Sequence, residues 1–378
     1  MSEFEVFSSI DEAEPHWRAL EQKAAGTPFQ RFAWMASYAR AISATLGAKP
    51  AILLLRGADR QPAAIMPLEI IRRGGLTLLR SMGGKHASFH VPLATAEGAA
   101  ILADNSPHLL RLVSERAGGA DLVLLTHQPF ELDGAPNPLA RAGVFATTGH
   151  AYETALALPV EAFFSAKLSA DARKKLRKKR KALETMGPID ARRLVEPAQI
   201  ETTLTAFLSQ RERRSRALMI PNPFAGAPIR AFLRAATMPV EGQDAAIELH
   251  ALRCGERIIA VFGLASGFSR ASAMFTSFDD DEAIARISPG NILLHEMVGD
   301  LIGRGFKRFD LGVGEARYKS VLCDREVALA HCATPLTALG RAALPLLRES
   351  WRLESAIKRS SRLTRFANRA RLALRASS

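Results

Sequence analysis

The order of elements between residues 246 and 319 limits the fold more than any other feature of this sequence. AIELHALR (246–253), ERIIAVFGLASG (256–267) and SRASAMFTSF (269–278) are three strand-like runs, divided by the turn signals Cys254-Gly255 and Gly267-Phe268. Ser288-Pro289-Gly290 then opens a helix, NILLHEMVGDLIGRG, which ends among glycines, and KRFDLGV is the next strand. Leu294, Met297, Val298, Leu301 and Ile302 share one face of that helix, so it should pack on the sheet. Hairpins, helix, strand is the grammar of an α/β layer.

The first half repeats it. A strand near 4–7 and helices at about 11–24 and 31–44 precede AKPAILLLRG (48–57) and QPAAIMPLEIIRR (61–73), which read as a hairpin around Gly57-Ala58-Asp59-Arg60. Gly74-Gly75 turns into LTLLRSM, a helix follows at about 96–117, and DLVLLTH (121–127) has the near-continuous aliphatics of a strand covered on both faces. VFATTGHAYETALAL, IDARRLV (189–195) and helices at 197–214 and 226–236 bridge to the meander. A chain of 378 residues has room for two cores, and the shared order makes an internal duplication of one α/β fold an expectation.

The net charge of +13 is local. RKKLRKKRK (173–181) carries eight positive charges, on a helix opened by Ser169 as N-cap, with Leu168, Ala172, Leu176 and Leu183 as a narrow apolar stripe. The tail from Arg341 to Ser378 adds ten basic residues against two acids, and the remainder is close to neutral. Charges at that density must be solvated or meet an anion. No aromatic interleaves the run, which weighs against base stacking with single-stranded nucleic acid. In the tail, Leu346, Leu347, Trp351, Leu353 and Ile357 recur with arginines at helical intervals. Such a helix lies on an anionic membrane or packs on its own domain, and the sequence does not separate the two. Cys254, Cys323 and Cys332 form neither a metal-ligand spacing nor a disulfide framework, and the N-terminus lacks an apolar core of signal-peptide type. A cytoplasmic protein without a membrane span or a metal is expected.

Several catalytic signatures fail on a required residue. His295-Glu296 would need a second histidine where Gly299 stands, Gly312-Val313-Gly314 lacks the third glycine of a dinucleotide fingerprint, and no Walker lysine loop occurs. What remains is Ser288-Pro289-Gly290, where a proline in the first turn and open N–H groups would attract a phosphate, and FDLGVGEARYK (309–319). Strand alternation puts Phe309 and Leu311 on one face and Arg308, Asp310 and Gly312 on the other, either as a surface Arg308–Asp310 pair or as a functional carboxyl. Tyr318 and Lys319 follow two glycines, in a loop able to bring a phenol and an ammonium to the sheet's end.

These residues, with Pro28-Phe29-Gln30, Trp34 and the basic helix, resemble GNAT-fold acyltransferases of the double-domain, BioF2-like branch associated with cellulose or exopolysaccharide biosynthesis. The same region is similar to Fem-type peptidoglycan aminoacyltransferases. The resemblance implies an α/β (α+β) fold of tandem GNAT-like domains, each a mixed, mostly antiparallel sheet flanked by helices, with a basic helical tail. The expected divisions are 1–160, a connector at 161–187, 188–334 and a tail at 335–378.

It also implies N-acyl transfer, in the first instance N-acetyl transfer, from acetyl-CoA or another acyl-CoA to an amine of a sugar, a saccharide-lipid or a small metabolite. Tyr318 is the implied acid, Asp310 positions or deprotonates the amine, and Lys319 binds phosphate or stabilises charge. Arg286, Ser288, Gly290 and Asn291 are the implied coenzyme A contacts, and Gln30 and Trp34 the substrate contacts; Lys85 and His86, after Gly83-Gly84, read either as further substrate contacts or as a surface turn. An aminoacyl-tRNA-dependent transferase and a non-catalytic scaffold at the membrane are the alternatives, with tRNA and the anionic inner face of the membrane as the corresponding partners.

Overall fold

The computed structural model describes residues 3–140, 144–240, 242, 244–314 and 317–359. It divides into two compact units, Met1–Ala151 with Val327–Ala356, and a second whose described core is Tyr152–Glu326.

The first unit begins with β1 (Phe4–Phe7), α1 (Ile10–Glu21), α2 (Phe32–Tyr38), β2 (Lys49–Pro50), β3 (Ile52–Arg56), β4 (Pro62–Met66), β5 (Leu68–Arg73), β6 (Leu76–Ser81), β7 (Leu93–Ala94), α3 (Ala96–Arg116), β8 (Leu122–Pro129), β9 (Glu131–Leu132) and β10 (Ala135–Pro136). The β3–β4 hairpin forms as expected and lies in an antiparallel sheet of order β1-β3-β4-β7. The expected strand 61–73 is broken at Pro67, which has no N–H to continue a ladder. β5 instead pairs with β2 and β6. β6 runs parallel to β8. The expected helix 31–44 is α-helical only to Tyr38 and then widens into a π turn over Ala39–Ser43. Leu53, Met66, Leu79, Leu110 and Val113 belong to this unit's core.

The unit boundary falls within β11 (Val144–Ala155). The second unit contains α4 (Val160–Lys167), α5 (Ala170–Glu184), β12 (Ile189–Arg193), α6 (Pro197–Ala217), α7 (Ala227–Thr237), β13 (Ile247–Cys254), β14 (Arg257–Gly267), β15 (Arg270–Phe278), α8 (Glu282–Ile287), α9 (Pro289–Gly303), β16 (Arg308–Val313) and α10 (Arg317–Leu322). β12, β13, β14 and β15 form the antiparallel meander, and β16 joins β15 in parallel. Met297, Val298, Leu301 and Ile302 of α9 are buried together with Phe262, Leu264, Phe309 and Leu311. The helical stripe and the strand alternation therefore both point where the sequence says. On the other face, Phe207 of α6 meets Phe275 at 4.4 Å between ring centroids. Gly263 sits opposite Phe275 in the ladder, and a Cβ there would fall 2.1 Å from that ring, so only glycine admits it.

The chain returns to the first unit through β17 (Arg325–Pro335), antiparallel to β8, and α11 (Ala338–Arg359). α11 has one packed side and one outward side. Trp351 packs on His331 at 4.8 Å, and Gly340 lies so close to the Asp121 carbonyl that a Cβ would be 1.9 Å from it. Leu339, Leu346 and Leu353, seven residues apart, face outward with Arg341, Arg348 and Arg352 exposed beside them. The part of the expected tail beyond Arg359 lies outside the described residues.

Candidate functional site

The second unit's site starts from a register. β15 and β16 pair through Arg270–Arg308, Ala271–Phe309 and Ser272–Asp310 and no further among the described residues, although β15 continues to Phe278. A bulge at the β14–β15 step between Gly263 and Leu264 bends the same stretch. The two parallel strands thus part immediately beyond Asp310.

Asp310 has no solvent exposure. Its carboxylate accepts hydrogen bonds from the Ser272 hydroxyl and from the Gly312 amide, the latter at 3.1 Å. The surface Arg308–Asp310 pair is therefore not formed: the carboxyl points into the protein, and the charges that act on it are Arg270 and, in the opposite sense, Glu153. Burial pushes its pKa up to about 6, against the opposing pull of Arg270, Ser272 and Gly312. Arg270 is itself buried and donates to Glu153 at 2.7 Å, and Arg325 donates to the other oxygen of Glu153 at 2.9 Å. Removing one member of such a buried pair typically costs about 3–5 kcal/mol.

Gly312 has φ +71°, a conformation that strains any residue with a Cβ. This turn aims the carbonyls of Gly312 and Val313 at Lys319, whose ammonium donates to both at 3.1 Å. Lys319 is buried, its Nζ lies 5.9 Å from the Tyr152 ring centre, and burial lowers its pKa while Asp310 opposes the shift. Asp310 and Lys319 are thus brought together around Gly312. Tyr318 falls within α10, but its side chain lies outside the described residues. Cys323, one turn on, has its thiol pushed up to about 12 by burial and stays protonated at neutral pH, which disfavours it as a nucleophile.

At the start of α9 the geometry differs from the expected row of open amides. α8 runs directly into α9 through Ser288, which is left-handed (φ 60°, ψ 61°). The Ser288 amide donates to Ala285 at 3.0 Å, Pro289 has no N–H, and the Asn291 amide turns back to the Ser288 carbonyl at 3.0 Å. Fewer amides are open here than the sequence suggests, because one residue links the two helices. Lys179 of the basic helix reaches this point and donates to the Ser288 hydroxyl at 2.7 Å. A phosphate would find a cation and a helix N-terminus together, so these residues fit the pyrophosphate of coenzyme A. Arg286 sits in the last turn of α8, exposed and paired with Glu282. Gly290 approaches Phe278 with room for a Cβ at 3.8 Å.

Asn291 also lines a cavity of about 530 Å³ within this unit. Its walls include Phe164 of α4, Leu168 just after it, Ala172 and Leu176 of α5, and Leu294 and Leu322 from α9 and α10. His295 contributes a ring stacked on Phe164 at 3.5 Å between centroids, and burial lowers its pKa to about 4, so it is neutral. The apolar stripe of the basic helix is legible in the sequence. That it faces a cavity is not.

The four remaining candidates belong to the first unit. Gln30 is fully buried, accepts from the Thr27 amide at 3.0 Å and donates to the Phe89 carbonyl at 3.1 Å. Trp34 is equally buried and stacks on Tyr38 at 5.7 Å. Lys85 is exposed, and His86, beside the Tyr38 ring, has its pKa lowered to about 4 by burial. Sequence reasoning passed over Ser272, Arg270 and Glu153. The signal was a charged residue inside a strand otherwise fit for burial, which requires a partner.

Among the described residues no cluster of His, Cys, Asp or Glu could hold a metal ion, and no helix is long and apolar enough to cross a membrane.

Residues 170–320 match the family described as acetyltransferase (GNAT) domain. No curated protein matches the chain significantly. Among solved structures, FemX superposes with a TM-score of 0.63 at 11% identity, over 92% of this chain and 100% of that one. The C-terminal domain of an Agrobacterium fabrum protein assigned as a lysylphosphatidylglycerol synthetase gives 0.53 at 14% identity, over 90% and 97%. L-PGS from Bacillus licheniformis gives 0.50 at 11%, over 91% and 97%. Identities this low establish a shared fold and nothing about substrates. The matched segment spans α5 to α10 and contains the parting strands, Asp310 and Lys319, so the protein carries a GNAT acetyltransferase domain and is an acyltransferase of that type.

Proposed function

We propose that the protein transfers an acyl group from an acyl-CoA to an amine of a sugar, a saccharide-lipid or a small metabolite, with Asp310 as the base. The observation that carries this reading is a buried carboxyl with a pKa of about 6 at the point where β15 and β16 part. A base titrating just below neutral pH is ionised when it must accept the amine's proton. The amine nitrogen then forms its bond to the thioester carbonyl, the tetrahedral oxyanion collapses, and the carbon–sulfur bond breaks. Tyr318 gives its proton to the departing thiolate, a role that rests on the family resemblance. Lys319, anchored on Gly312 and Val313, holds positive charge beside the same turn and fixes its shape. Ser288, Gly290, Asn291 and Arg286 remain the proposed donor contacts, with Lys179 added to them. Gln30 and Trp34 would act by shaping the first unit, and Lys85 and His86 by contact with the acceptor. A role in polysaccharide biosynthesis, and the divisions at 160, 187 and 334, belong to the same proposal.

The outward leucines of α11 and the arginines beside them support a peripheral contact with an anionic membrane at its cytoplasmic face. The exposed cations Lys174, Lys175, Arg177, Lys178 and Lys181 favour a second reading, donation from an aminoacyl-tRNA. A thermal-shift panel separates the two. Stabilisation by coenzyme A supports the first, whereas binding only to charged tRNA, with steep salt dependence, supports the second. A scaffold without catalysis binds neither.

A further inference from the structure

The cavity between α4, α5, α9 and α10 is larger than an acetyl group needs. At about 530 Å³ it falls in the usual range of small-ligand pockets, roughly 300–1,000 Å³. Its walls are mainly apolar, and Val321, which lines it, is 48% exposed, which leaves apolar surface facing water inside a concave site. Two polar side chains, Asn291 and His295, share the lining. His295 is neutral and lies flat against Phe164, so it presents a ring face, and Asn291 is in the first turn of α9.

The cavity has a polar end, set by two helices at once. On α5, Leu176 lines the cavity and Lys179 is one turn further along the same face. On α9, Asn291 lines it and Ser288 is one turn back. Lys179 and Ser288 hydrogen-bond to each other, so both helices lead from the apolar chamber to the same cationic point. A ligand that fits must join a hydrocarbon portion to an anionic one. An acyl-CoA meets both demands when its alkyl chain lies among Phe164, Leu168, Ala172 and Leu294 and the pantetheine arm beyond the thioester folds back to bring the diphosphate to Lys179.

We infer that this cavity holds the alkyl chain of a fatty acyl-CoA, so that the group transferred is a medium- or long-chain acyl group rather than acetyl. The inference rests on the acyl-CoA reading above, but its test is separable from it. The basic helix then has two functions on two faces: its apolar stripe forms a wall of the acyl site, and Lys179 meets the carrier's phosphate. The alkyl chain would also cover Val321 and the half-exposed Leu168, which the chain itself leaves open.

The test is calorimetric binding of free coenzyme A and of acetyl-, hexanoyl- and decanoyl-CoA to the full-length protein and to Ala172→Trp. Ala172 is a half-exposed cavity-wall residue outside the catalytic turn, so the larger ring fills the chamber without entering a packed core. The dissociation constant should fall about fourfold per buried methylene until the chamber is full. Ala172→Trp should abolish that dependence, leave acetyl-CoA affinity within about twofold of wild type, and retain the wild-type melting temperature within a few degrees. If Ala172→Trp proves unstable, Leu176→Asp, in the same wall, should erase the chain-length dependence equally. Equal affinity for acetyl- and decanoyl-CoA in the wild-type protein would overturn the inference while leaving the donor assignment intact. Binding of decanoate as tight as that of decanoyl-CoA, with none of free coenzyme A, would overturn the donor assignment. Chain-length dependence shown by lysophosphatidylglycerol and not by acyl-CoA would overturn the inference in favour of a lipid acceptor.

Discussion

Ser272 and Asp310 face each other across the last rung of the parallel β15–β16 pair, and the serine hydroxyl donates to the buried carboxylate. This hydrogen bond favours the ionised form and partly offsets the desolvation that raises Asp310. Ser272→Ala should therefore move the acidic limb of the pH–activity profile upward from about 6, by roughly half to one unit. A rate profile on the purified variant checks the sign, and a downward shift would refute the assigned role of the hydroxyl.

Lys319→Met keeps the length of the side chain and removes its donors. The Gly312 and Val313 carbonyls would each lose a partner in a buried site, and the expected cost is about 2 kcal/mol of unfolding free energy in urea titration. Turnover should fall by more than that loss of folded protein explains, because the turn carrying Asp310's amide partner loses its anchor.

Tyr318→Phe removes the proposed proton donor to the leaving thiolate. Turnover with an acyl-CoA should drop about 10²-fold, whereas a donor with a more acidic thiol, such as an aryl thioester, should lose far less. Equal losses with both donors would show that the phenol has another role.

Membrane contact is testable without truncating α11, which would expose the surface under Gly340 and Trp351. Leu339→Glu, Leu346→Glu and Leu353→Glu combined should abolish sedimentation with anionic vesicles and leave the melting temperature close to wild type, since all three side chains face outward. High salt should weaken the wild-type association. Undiminished binding of the triple variant would place the contact elsewhere.

What could be read from the sequence divides by distance along the chain. Glycine turns, the five apolar residues of α9 and the Ser169 cap are local signals, and the α/β order of the second unit follows from them. The burial of Asp310 is not local. It depends on a register with Ser272, 38 residues earlier, and on Arg270 and Glu153, and from the sequence a surface pair with Arg308 is an equally reasonable reading. Ser288-Pro289-Gly290 was legible as a helix start, but the amide count there depends on α8, a helix of only six residues that gives little periodic signal. The cavity needs four helices to converge, and neither the stripe on α5 nor His295 alone reveals it.

The pH dependence of kcat/KM for wild type and Asp310→Asn, at saturating amine acceptor, tests the central assignment most directly. A carboxyl raised in the folded protein contributes stability below its unfolded value near 4 that is lost as pH rises through about 6, so the asparagine variant should be at least as stable as wild type at pH 8, by up to about 3 kcal/mol. Unfolding cannot then account for lost activity. The account predicts a wild-type limb near 6 and a variant at least 10²-fold slower with that limb gone. A variant that retains both the rate and the limb would show that Asp310 is a structural carboxyl and that the amine loses its proton elsewhere.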